Sequence, residues 1–167
     1  TARKVVEDLV RIAEENDRLW KKLVEDIAEI LRRIVELLRR GGVPEELLDR
    51  LAKVVKSIVE KAEKILERLN RVSKAIAEKL KSTGNKEEVE RIVREYVKLS
   101  DEVVKSLAEI VEELIRIIED LLRKGNLDED VKRALEELVS RLRKLLEDVK
   151  KASEDIVREV ERIVREL

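Results

Sequence analysis

The sequence predicts an all-α chain, an antiparallel up-down-up-down four-helix bundle with coiled-coil-like left-handed packing. Three observations lead there. Apolar residues recur at alternating intervals of three and four along nearly the whole chain, the spacing that puts them on one helical face. Short breaks holding the four Gly and the one Pro divide the 167 residues into four nearly equal parts. Charged residues make up 46 % and hydrophobic ones 43 %, the balance of long amphipathic helices.

The first helix is predicted over about 2–40, and "RRGGVPEE" stops it at Gly41 and Gly42. Pro44 suits the first turn of the second helix, because the N–H it lacks has no helical partner there. That helix runs over about 44–81, to "KSTGNKEE". There Gly84 is expected in the left-handed C-terminal position, with Asn85 as N-cap and Glu88 as its capping-box partner. The third helix covers about 86–124; Gly125 is expected to repeat the device, with Asn126 or Asp128 capping a fourth over about 128–166. Each helix is then roughly 57 Å long. Short loops make successive helices antiparallel neighbours. The chain reads as one domain, residues 1–167, made of two hairpins, 1–81 and 86–167.

Within each helix the buried seam can be placed by a strict three-four alternation. In the first it runs Val6, Leu9, Ala13, Asn16, Trp20, Leu23, Ile27, Ile30, Ile34, Leu37. It runs from Leu48 to Leu80 in the second, Val89 to Leu121 in the third and Leu135 to Leu167 in the fourth. A seven-residue repeat held this long implies left-handed supercoiling. Flanking apolar residues such as Val5, Ile12, Val24 and Leu31 widen each stripe enough to face two neighbours.

The seams are interrupted where "EENDRLW" places an amide, Asn16, and the chain's one Trp, Trp20. In antiparallel helices, residues at one height have numbers that sum to twice the loop centre. The first loop gives a sum of about 85, so Asn16 is expected to face about residue 69. By the same rule Ser73 meets about residue 95, beside Tyr96, and Ser100 meets about residue 152, beside Ser153. Asn16, Asn70, Ser73, Tyr96, Ser100 and Ser153 are therefore expected in one polar layer, with Trp20 a turn away. Left unsatisfied, a buried amide or hydroxyl costs about 1–3 kcal/mol, so these groups are expected to bond one another. Satisfied, they penalise any register that separates them. Two alternatives are a solvent-facing Asn70 and Ser73 with a water on Asn16, and a polar ligand pocket under Trp20 and Tyr96.

Other chemistry is scarce, and nothing in the sequence points to a natural biochemical activity. There is no His and no Cys, which removes the commonest general base, the thiol nucleophile and the usual zinc ligands. No seam position is Asp or Glu, so an inward carboxylate metal site of the bundle type is not expected. Asp17, Asp101 and Asp155 adjoin the polar residues and read as boundary carboxylates. No catalytic, metal or cofactor-binding residue is assigned. The 38 basic and 39 acidic residues give a net charge of −1, which provides no field to steer nucleic acid or an anionic membrane. No apolar run spans a bilayer or resembles a signal peptide, so a soluble monomer is expected.

"LLRRGGVPEELL" at 37–48 resembles "LLRKGNLDEDVK" at 121–132, and at the same displacement Asn16 falls on Ser100. With the seams, the caps "GGVPEE" and "STGNKEE" and the polar residues, the whole chain resembles computationally designed helical bundles, more closely designed hairpin pairs with buried hydrogen-bond networks. An alphabet without His, Cys, Met or Phe and surfaces of strong helix formers accord with that resemblance. A start at Thr1 suggests a trimmed tag and recombinant cytoplasmic expression. The resemblance implies a rigid scaffold or helix-pairing module whose network sets pairing specificity, though two halves in one chain depart from a free two-chain heterodimer. The competing expectation is a natural interaction or lipid-binding bundle. A spectrin-like repeat would have three helices and core aromatics, and an apolipoprotein-like bundle must open to bind lipid.

Overall fold

The computed structural model describes residues 2–167, with side chains from Arg3 onward. Four α-helices follow in order: α1 (Ala2–Arg40), α2 (Glu45–Ser82), α3 (Lys86–Lys124) and α4 (Glu129–Arg165). They form an all-α four-helix bundle, with no strand among the described residues. Neighbours around the square are α1–α2, α2–α3, α3–α4 and α4–α1, so α1 faces α3 and α2 faces α4 across the diagonals. Each helix turns an apolar stripe to the centre. Trp20, Leu38, Leu69, Leu135 and Leu142 are completely buried there.

At the helix ends the buried stripe slips off the strict heptad. Val5 and Leu38 are buried, while Val6 and Leu37, one residue nearer the middle of α1, are only partly so. In α3, Ile118 is buried and Ile117 half-buried. A helix with 3.6 residues per turn runs ahead of a seven-residue repeat by about 20° per heptad, so the slip grows away from the centre. The slip runs outward at both ends of α1, as this predicts.

The connections differ from expectation at the glycines. α1 ends in a Schellman motif: Val43 N–H donates to Leu38 O (3.2 Å) and Gly42 N–H to Arg39 O (3.3 Å). Gly42 takes the left-handed conformation, φ 76°, and is the one residue with positive φ among those described. Gly84 and Gly125, expected there too, do not adopt it. Gly125 has φ −75°, and its lack of a side chain matters because a Cβ would lie 2.5 Å from Leu121 O. Pro44 is the N-cap of α2 rather than its first residue. Asn85 caps α3 by accepting from Glu87 N–H (3.0 Å), but Glu88 does not complete a capping box; it accepts from the Thr83 hydroxyl (2.9 Å). Asp128 caps α4 without a side-chain bond.

These differences give a direct test. Gly42→Ala is expected to cost about 1–2 kcal/mol, the penalty a side chain meets in the left-handed region. Gly84→Ala should leave the urea midpoint unchanged or slightly raised, because its Cβ meets nothing within 4 Å. Equal losses at both positions would contradict this account of the turns.

Ion pairs lie mainly along single helices at i,i+3 and i,i+4 spacing, such as Arg91 with Glu95 and Arg162 with Glu159. Glu119 of α3 and Arg143 of α4 bridge two helices. Being exposed, such pairs contribute little beyond solubility. The fold is held by its apolar interior.

Candidate functional site

One direct hydrogen bond joins buried polar side chains across the interior: Asn16 Nδ2 donates to Tyr96 OH at 2.5 Å. Asn16 is 1 % exposed and Tyr96 6 %. The bond runs from α1 to α3, diagonal helices whose Cα atoms stay more than 8 Å apart. A short amide and a long phenol share the span.

Around this bond the expected layer resolves into two levels. Asp17 on α1 lies beside Ser73 and Lys74 of α2, so paired numbers sum to about 90, not 85. Asn16 thus stands level with Ser73 rather than residue 69. The reason lies in the first loop, which ends in extended Pro44 (φ −55°, ψ 140°) and carries the chain onward before α2 turns back. The third loop does likewise, with Gly125 and Asp128 extended. Ser153 consequently lines a groove whose α3 members are Asp101, Val104 and Lys105, centred within about one turn of Ser100. Asn16, Asp17, Ser73 and Tyr96 make the first level. The corrected register puts Asn70 and Ser153 near the turn of Trp20, in a second.

Several of these groups are buried without a protein partner: Asn16 Oδ1, Trp20 Nε1, Asn70 Oδ1, Ser73 Oγ and Ser100 Oγ. Ser100 lies close enough to Tyr96 to favour its ionised form, yet its hydroxyl is not in a fully formed bond. Burial pushes the Tyr96 phenol up to about 12; the Asn16 bond opposes this and the Asp17 charge adds to it. The phenol therefore stays protonated at neutral pH.

Asp17 is the member that the seam pattern did not place. It sits one residue off the seam, half-buried, with Oδ1 enclosed and unpartnered. Burial pushes its carboxyl up from the ordinary 3.8 to about 6. Ser73 and Lys74 pull the other way, and Glu14 one turn back adds to the rise. A neighbouring α2 hydroxyl was the available signal, once α1 and α2 were set in the right register. Asp101 and Asp155 differ: both are exposed, and Asp155 pairs with Arg158.

Among the described residues, no three His, Cys, Asp or Glu side chains gather as a metal site. No helix among the described residues is long and apolar enough to cross a membrane. Five surface grooves between neighbouring helices are lined by residues other than Asn16, Trp20 and Tyr96. Of the expected polar layer, one cross-helix hydrogen bond is formed, Asn16 to Tyr96, and the other enclosed polar atoms have no protein partner. No protein-family model matches the chain, and no curated protein or solved structure is found to be similar to it.

Proposed function

We propose that this chain is a designed structural scaffold, a helix-pairing module in which buried polar residues set which hairpin pairs with which. The observation that carries the reading is the Asn16–Tyr96 bond, because its donor belongs to the first hairpin and its acceptor to the second. Asn16, Asn70 and Ser73 lie on one half; Tyr96, Ser100 and Ser153 lie on the other. A homodimer of either hairpin would bury amides and hydroxyls without that partner, at about 1–3 kcal/mol for each orphaned group. The correct pair recovers part of this cost, which is discrimination by penalty against the wrong partner. In this reading the scaffold works as a monomer, with no cofactor, nucleic acid or membrane. Its two halves are held by the apolar seams and kept in register by the polar residues.

The test uses residues 1–81 and 86–167 as separate chains, mixed in equal amounts and weighed by native mass spectrometry. One-to-one heterodimers should dominate. Replacing Asn16, Ser73, Tyr96 and Ser100 with apolar residues of matched volume should preserve association while admitting homodimers. Dominant homodimers from the unmodified halves, or no complex at micromolar concentration, would overturn the pairing role.

A further inference from the structure

The buried apolar side chains form two separate clusters. The larger begins at Trp20 and extends to the end of the bundle that holds the first and third loops. The smaller lies at the other end, within residues 5–13, 76–80, 89–96 and 160–163. Between them stand Asn16, Ser73 and Ser100, each at least nine-tenths buried and each with a polar atom lacking a protein partner. The smaller cluster is also the end where α1 begins, α4 finishes and α2 turns into α3.

Apolar contact makes a core cooperative, and partnerless polar groups interrupt it. Parts of a protein joined by few buried contacts open separately, at less cost than global unfolding. We propose that the polar level is a break line at which the smaller end of the bundle opens as a unit, and that the charge on Asp17 promotes this opening.

Asp17 lies on that line. In the closed bundle its Oδ1 is enclosed without a partner, so one oxygen of the half-buried carboxylate is held away from water. Opening admits water to it. The groups that feel its charge are Lys74 on α2, Glu14 on α1 and Tyr96 on α3. From α4, Glu159 and Arg162 instead face Arg11 and Asp8, farther along α1. Lys74 alone is positive, and it does not offset burial. Ser73 and Lys74 favour the charged form but do not offset burial, so the closed end tolerates the protonated, uncharged carboxyl best. Ionised, it lowers the cost of opening the same end.

The sign follows from the direction of the shift. The closed state holds the proton up to about pH 6, so opening becomes easier as pH rises through that value. Between pH 4.5 and 7.5 the opening equilibrium should grow roughly twentyfold, if Asp17 is fully hydrated when open.

Amide hydrogen exchange on the intact chain, corrected for the intrinsic pH dependence of exchange, tests both parts. At pH 7.5 amides of residues 76–82 and 89–96 should share one protection level, at least about tenfold below that of residues 107–118. At pH 4.5 they should regain about twentyfold, and Asp17→Asn should show high protection at both pH values. A single protection level for both ends would overturn the break line. Unchanged protection of the smaller end between the two pH values would overturn the role of Asp17, a result read from the unmodified protein even if Asp17→Asn fails to fold.

Discussion

Trp20→Ala is expected to lower the free energy of unfolding by about 3–5 kcal/mol, measured by circular dichroism in denaturant because the chain's one Trp is lost. Trp20 is completely buried at the head of the larger apolar cluster, so truncation removes a large ring and leaves a cavity that four long helices cannot collapse around. Its indole N–H has no protein partner, which separates two contributions. Trp20→Phe keeps most of the packing and removes the orphaned donor, so it should cost less than about 1.5 kcal/mol. If Trp20→Ala cost less than about 1 kcal/mol, the packing assigned to this level would be wrong.

Raising the pH from 4 to 7 should lower global stability through Asp17 by about 1–2 kcal/mol, less than the full shift implies because the carboxyl is only half-buried and solvent screens it. Its carboxyl is pushed up to about 6 in the folded protein and returns to about 3.8 when the chain unfolds. The folded state therefore binds the extra proton. The contribution is fully present below about pH 3.8 and is lost as pH rises through 6. Exposed pairs act in the opposite sense: Arg162 holds Glu159 below its usual range, so stability from that pair declines in acid. The difference between the wild type and Asp17→Asn, titrated in parallel by urea denaturation, isolates the buried carboxyl. Parallel curves from pH 4 to 7 would show that Asp17 is not desolvated.

The helix count and the places where helices end are legible in the sequence, because Gly and Pro interrupt an otherwise unbroken apolar period. Asn16, Ser73, Tyr96 and Ser100 stand out for the same reason, as polar groups on an apolar seam. Height was harder to read. Numbering alone takes a loop to be a symmetric reversal, whereas extended Pro44 and Gly125 advance the chain along the axis. That displaces Ser153 from Ser100 and brings Ser73 opposite Asn16 and Asp17. Asp17 escaped the pattern because its importance comes from the neighbouring helix and not from its own seam. Nor does composition distinguish Gly42, with its positive φ, from Gly84; only the hydrogen bonds at the end of each helix do.

The bond between Asn16 and Tyr96 couples the two hairpins, and a double-mutant cycle measures it most directly. Asn16→Ala, Tyr96→Phe and the double variant would be unfolded in urea beside the parent. Each single change should cost about 1–3 kcal/mol, because each leaves a buried group without its partner. The double change should cost less than their sum by about 0.5–1.5 kcal/mol, the net contribution of one buried hydrogen bond. Effects that add to within about 0.3–0.5 kcal/mol would mean that α1 and α3 are not coupled across the diagonal.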